Sequence, residues 1–285
     1  MQSRRDLLAL ACAGCAALAA RPLLALGSDP APVLSFEQIL AAAESEPAML
    51  EAARSYREGL EQQFNAHSRT KAALPRRTPS TRQISDRAKQ MLIVFEVSSR
   101  QLYERKYRKP IWPGGSSGIT IGIGYDVGYV DTAWLEEDWA AHAPPKVRET
   151  LKPACGLRGT KARDRLAEFQ SVDIAWESAL KQFESVVLPL YIAETEAALS
   201  NTDKLSADSL GALVSLGYNR GPSYGGTSPN RAEMVRIAGH MKFSRFDRIP
   251  KEIRDMKRIW AGDPSLKGLL ARRDAEAALF EAGLA

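Results

Sequence analysis

Between Pro110 and Tyr129 the chain turns abruptly to Gly, Ser, Thr, Ile and Tyr, and from Gly118 to Gly124 glycine alternates with β-branched residues, as in a short, tight strand pair. No other stretch carries a convincing β signal. Whatever else this chain folds into must be helical around one small hairpin, so the spacing predicts an α+β class, mostly helical.

The flanking sequence supplies the helices. Ser85-Asp86 offers a cap, after which Ala88, Leu92 and Phe95 recur at spacings of four and three and form one apolar face ending at Glu96. Further helical runs begin near Asp131, Pro145, Thr160 and Asp173, then follow Ser206–Tyr218, Pro229–His240, Pro250–Trp260 and Leu266–Glu281. Val186–Ala193 lies inside a longer helical pattern and reads as part of a core helix. Asn219-Arg220-Gly221-Pro222 reads as a helix stop. Before all of these, residues 34–70 carry helical spacing, and Ala73–Gln83, with Pro75 and Pro79, reads as a linker.

The first residues read as an address. Arg4-Arg5 precede an Ala- and Leu-rich run that Asp29-Pro30 breaks, a pattern similar to a twin-arginine export signal. Arg21 and Pro22 interrupt that run before it reaches the roughly 20 apolar residues of a spanning helix, so no stable membrane anchor is expected after cleavage. The expected division is therefore an export signal at 1–27, a helical arm and linker at 28–83 and a catalytic domain at 84–285, with the periplasm as destination.

Cleavage after Gly27 removes three Arg and one Asp, so a formal charge of +5 falls by two to +3. That mild bias suits approach to an anionic polymer and is too weak to argue nucleic-acid binding. It also leaves Cys155 as the one cysteine, which fits folding in a reducing compartment before export; Cys155 reads as a packed small residue.

The chemistry narrows by elimination and then by environment. The chain has no His-Glu-x-x-His and no paired Cys-x-x-Cys, and its glycines at 122, 124 and 128 fail the dinucleotide spacing, so neither metal nor cofactor is expected. What remains is a carboxylate among apolar residues and a Gly-rich hairpin carrying Thr and Asp. Glycoside hydrolysis needs a protonated carboxyl to give its proton to the leaving oxygen and a second group to direct water or stabilise positive charge. Glu96, among Met91-Leu92-Ile93-Val94-Phe95 and Val97, suits the acid, because apolar surroundings disfavour its ionised form. Asp126, on what should be an exposed hairpin, suits the base or electrostatic stabiliser, and Thr120 suits holding the water. Alone, Glu96 is an ordinary helix-end residue and Asp126 an ordinary turn former; the combination gives them meaning.

Read in order, Ile93-Val94-Phe95-Glu96, Tyr103 and Gly118-Ile119-Thr120-Ile121-Gly122-Ile123-Gly124-Tyr125 resemble the active-site stretch of phage-type lysozymes and endolysins. Ala212–Gly221 and Lys267–Phe280 resemble later stretches of the same family. An acid normally found shortly before the hairpin Thr is replaced by Pro113-Gly114-Gly115-Ser116-Ser117, whereas Asp126 follows the Thr by six positions, an arrangement similar to pesticin-like muramidase domains. The resemblance covers residues 84–284 and implies a two-lobed lysozyme-like fold, with a small β-hairpin lobe, a larger helical lobe and peptidoglycan in the cleft between them. It also implies that Asn219 lines the cleft opposite the hairpin. Tyr125, Tyr129, Trp112 and Trp134 are candidates for stacking on sugars, and Arg272-Arg273 reads as an ion-paired element of a packed helix.

The activity implied is that of a muramidase cutting between N-acetylmuramic acid and N-acetylglucosamine. A lytic transglycosylase using Glu96 alone, or a peptidoglycan-binding protein that kept the fold without turnover, are the alternatives.

Overall fold

Ser35 opens the first helix with a reciprocal cap, its hydroxyl accepting from the Gln38 amide while the Gln38 side chain accepts from the Ser35 amide. In the computed structural model, which describes residues 34–54 and 78–284, this helix is α1 (Phe36–Ser45), followed by α2 (Pro47–Arg54). The expected export segment, residues 1–27, and residues 28–33 and 55–77 of the expected arm and linker lie outside the described residues. The end of the expected linker, residues 78–83, is extended and tied down: the Ser80 amide donates to the Pro189 carbonyl, and Arg82 donates to the carbonyls of Thr202 and Leu205.

The Ser85 hydroxyl caps α3 (Asp86–Val97), which carries Glu96 one residue before its end. A short helical turn and a wider π-helical turn, Tyr103–Tyr107, lead into the hairpin. There β1 (Thr120–Ile121) pairs antiparallel with β2 (Tyr125–Asp126), Thr120 opposite Asp126 and Ile121 opposite Tyr125. The remaining helices are α4 (Thr132–Trp139), α5 (Pro145–Leu151), α6 (Thr160–Arg165), α7 (Trp176–Gln182), α8 (Leu188–Ala198), α9 (Ala207–Arg220), α10 (Ala232–Lys242), α11 (Ile249–Asp255) and α12 (Lys267–Ala282). The described part is therefore mostly helical with one two-stranded sheet, as the sequence pattern predicts.

Two helices organise the core. Leu210, Ala212, Leu213, Val214 and Leu216 of α9 are fully buried, and Ser209 and Ser215 are buried with them, so this helix is enclosed on every side. The α12 helix packs on it and also contacts α1, α2, α3 and α11. The contact between α2 and α12 requires glycine: a Cβ on Gly268 would stand 2.8 Å from both the Ala53 Cβ and the Met49 carbonyl oxygen. Leu50 and Ala53 are buried in the same contact, so α2 belongs to the packed unit that holds the catalytic candidates.

Candidate active site

The fold brings Glu96 and Thr120 to one cleft of about 920 Å³. One side is the hairpin, with Thr120, Gly122 and Gly124; another is the segment from Glu104 to Pro113, including the half-buried Trp112. Trp112 is fixed through its indole N–H, which donates to the Ser117 carbonyl at 3.0 Å. The Thr120 hydroxyl oxygen is buried and has no hydrogen-bond partner among the described residues. A buried hydroxyl left unmatched costs free energy, so its natural partner is a molecule in the cleft.

Glu96 is 6% exposed, between the buried side chains of Phe95 and Val97. Its surroundings are not purely apolar. The Arg272 guanidinium of α12 donates to Glu96 Oε1 at 2.9 Å, with both side chains almost completely buried. This corrects the expectation that apolar burial alone sets the charge of Glu96, because an adjacent guanidinium favours the carboxylate form. Arg272 also donates to Glu276 and to the Ser215 hydroxyl and carbonyl, and Arg273 donates to Glu276 at 2.9 Å. Two cations and two carboxylates thus neutralise one another inside the protein, the arrangement under which buried charge is tolerated. Burial, reinforced by the neighbouring Arg272 and Arg220 charges, pushes Arg273 down to about 10 despite the pull of Glu276.

Asp126 stands opposite Thr120 in the ladder but is not on the cleft wall. The sequence suggests an exposed carboxylate; the structure buries it to 9% exposure. Its oxygens accept from the backbone amides of Gly118, at 3.0 and 3.1 Å, and Gly128, at 2.9 Å. A Cβ on Gly118 would fall 2.4 Å from Asp126 Oδ1, so the carboxylate sits where only glycine leaves room. Asp126 braces the hairpin that presents Thr120, its carboxylate oxygens occupied by the backbone donors of Gly118 and Gly128.

Tyr125 departs from its expected place on the cleft. Alternate residues of a strand point to opposite faces, so Tyr125, paired with Ile121, faces away from the side that Thr120 and Asp126 share. Its ring packs edge-on to Trp139 and its hydroxyl donates to Asp138 at 2.7 Å, which makes it a core residue. Asn219 also leaves the main cleft. Its side-chain oxygen accepts from Arg273 at 3.2 Å, and it borders a separate cavity of about 20 Å³ with Leu50, Ala53, Phe95, Glu96 and Arg272. That space is large enough for about one water behind the acid.

The sequence misses two contributors. Arg272 is legible as an ion-pairing residue through Glu276 four positions on, but its reach to Glu96 spans 176 residues. Glu51, on the arm, lines the cleft, accepts from the Tyr107 hydroxyl at 3.2 Å and pairs with Lys106 at 2.7 Å. Cys155 takes no part: burial pushes its thiol up to about 11, which leaves a packed, unreactive side chain.

A family model described as a domain of unknown function (DUF8812) matches residues 92–201, or 110 of the 285 residues. The match contains Glu96, Thr120 and Asp126 and stops short of Asn219 and Arg272. No curated protein matches the chain.

Proposed function

We propose that this chain is an exported muramidase with a lysozyme-like fold that hydrolyses the glycan backbone of peptidoglycan. The observation that carries the reading is the Thr120 hydroxyl, buried on the same cleft as the buried carboxyl of Glu96 and without a partner among the described residues. An acid and an unsatisfied hydroxyl facing one cleft are the two groups needed to protonate a glycosidic oxygen and to hold the attacking water.

Glu96 gives its proton to the leaving sugar oxygen. As that proton departs, negative charge develops on Glu96, and Arg272, already in place at 2.9 Å, stabilises it without rearrangement. The Thr120 hydroxyl takes the attacking water, Asp126 keeps the hairpin in position, and Trp112 offers an aromatic face to a sugar. The paired arginines at the start of the sequence support export to the periplasm in folded form.

A second reading has its own observation. Because the Asp126 carboxylate is engaged by backbone amides away from the cleft wall, Glu96 is the one of the two expected acids that faces the cleft, which suits a lytic transglycosylase working with a single acid. Digestion of purified peptidoglycan by the mature chain and by Glu96→Gln, with the released ends identified by mass spectrometry, separates the two. Reducing muramic ends that vanish in the variant support the muramidase; anhydro ends support the transglycosylase; no release by the unaltered protein refutes both.

A further inference from the structure

The charges along the cleft wall do not cancel. Five cations line it, Arg105, Lys106, Arg108, Lys109 and Arg163, together with the carboxylates of Glu51, Glu96, Glu104 and Asp173. Every one of those carboxylates is engaged: Glu51 with Lys106 at 2.7 Å, Glu104 with Arg108 at 3.1 Å, Asp173 with Arg108 at 2.6 Å and Glu96 with Arg272 at 2.9 Å. Arg163 pairs with Asp164 at 2.9 Å, outside the lining. That accounting leaves Arg105 and Lys109, which make no hydrogen bond or ion pair among the described residues and are exposed to the cleft.

The backbone presents these two together. Arg105 lies on the π-helical turn Tyr103–Tyr107 and Lys109 in the bend just after it, the Arg108 amide closing the turn on the Tyr103 carbonyl at 3.1 Å, and both residues line the same cleft. The other side of the turn is clamped. Tyr103 is fully buried and donates to the Ile174 carbonyl at 2.8 Å, while Tyr107 is buried and donates to Glu51. With both tyrosines fixed inward, the two unpaired cations are held at the cleft.

We propose that Arg105 and Lys109 form a subsite for carboxylates attached to the sugar strand, so that the cleft selects glycan carrying acidic substituents. This rests on the muramidase reading. A guanidinium fork takes a carboxylate through two parallel hydrogen bonds and the ammonium adds a point charge beside it, so a short peptide with two acidic groups, or one carboxylate shared between both cations, fits the pair. Two sources supply that chemistry on a peptidoglycan strand: the acidic groups of the attached peptides, and the sugar's own carboxylate where the peptide has been removed.

The test measures equilibrium binding and turnover of soluble glycan fragments by the unaltered protein and by a double Arg105→Gln, Lys109→Gln variant. Three fragments are compared: peptide-bearing, peptide-bearing with every carboxylate converted to an amide, and peptide-stripped with the sugar carboxylate free. The double variant is expected to bind peptide-bearing fragments about tenfold or more weakly, to match the unaltered protein on the amidated ones, and to show a smaller dependence on salt. A loss confined to the stripped fragments also supports the subsite and identifies the sugar carboxylate as its ligand. Equal binding of carboxylate-bearing fragments by the two proteins, or an equal loss on amidated ones, overturns it. Carboxylate-dependent binding with no turnover by the unaltered protein would leave the subsite standing and refute the muramidase.

Discussion

The guanidinium of Arg272 and the carboxylate of Glu96 meet at 2.9 Å inside the protein, although 176 residues separate them along the chain. Breaking one side of such a pair strands the other charge. Arg272→Leu should cost about 3–5 kcal/mol of stability by thermal or denaturant unfolding. In whatever folds, the alkaline limb of the kcat/KM profile should move to higher pH, because Glu96 keeps its proton longer, while the maximal rate falls. An unmoved limb would show that Arg272 does not govern the acid.

Thr120 should separate activity from stability. Thr120→Val keeps the shape and removes a buried hydroxyl that has no partner among the described residues, so the unfolding midpoint should hold or rise slightly. Peptidoglycan turnover should fall by about 10²-fold or more if that hydroxyl positions the water. A variant as active as the parent would remove Thr120 from the mechanism.

The hairpin brace should report on both properties at once. Asp126→Asn replaces an acceptor with an amide whose N–H₂ must face the donors of Gly118 or Gly128. We expect a loss of about 1–3 kcal/mol and a fall in turnover that follows it, without a change in the pH dependence. A shift in the pH profile at unchanged stability would return Asp126 to a direct role in proton transfer.

The docking of α2 has an equally local test. Gly268→Val puts side-chain atoms where the Met49 carbonyl and Ala53 already stand, and should destabilise by about 1–3 kcal/mol. Because Glu51 on the same helix holds Lys106 and Tyr107 at the cleft, turnover should fall further than unfolding accounts for.

Away from the cleft, Glu233 sets an acid limit on stability. Burial raises its carboxyl, but hydrogen bonds from Arg258 and the backbone, with the charges of Arg258 and Arg236, outweigh burial and hold it below the ordinary carboxylate value. A depressed folded value means the contribution is fully present above the ordinary carboxylate range and is lost as pH falls through the folded value. Glu233→Gln should therefore be less stable than the parent by about 1–3 kcal/mol at neutral pH, and the difference should shrink on acidification below about pH 4.5. A pH-independent difference would assign the effect to packing.

Local grammar made the helices legible. Ser85, Asp131 and Ser206 each cap the helix they precede, and the stop at Asn219-Arg220-Gly221 ends α9. The hairpin was legible for the same reason, since its glycines and β-branched residues are sequential neighbours. Which residues face the cleft was not. Two-residue strands contain too little alternation to distinguish the Thr120 face from the Tyr125 face, so Tyr125 read as a cleft residue and lies in the core. The charge state of Glu96 was hidden by distance: the residues adjacent in sequence are apolar, while its partner arrives from α12.

Assembly of the Glu96–Arg272 pair from such distant segments also has a consequence in time. While the chain is being synthesised, Glu96 exists long before Arg272, the guanidinium that meets it in the folded protein. If Glu96 is the acid of the muramidase proposed above, its guanidinium partner reaches it only when α12 closes over it. A cell making such a wall-cutting enzyme would thereby complete that pair only at the end of folding.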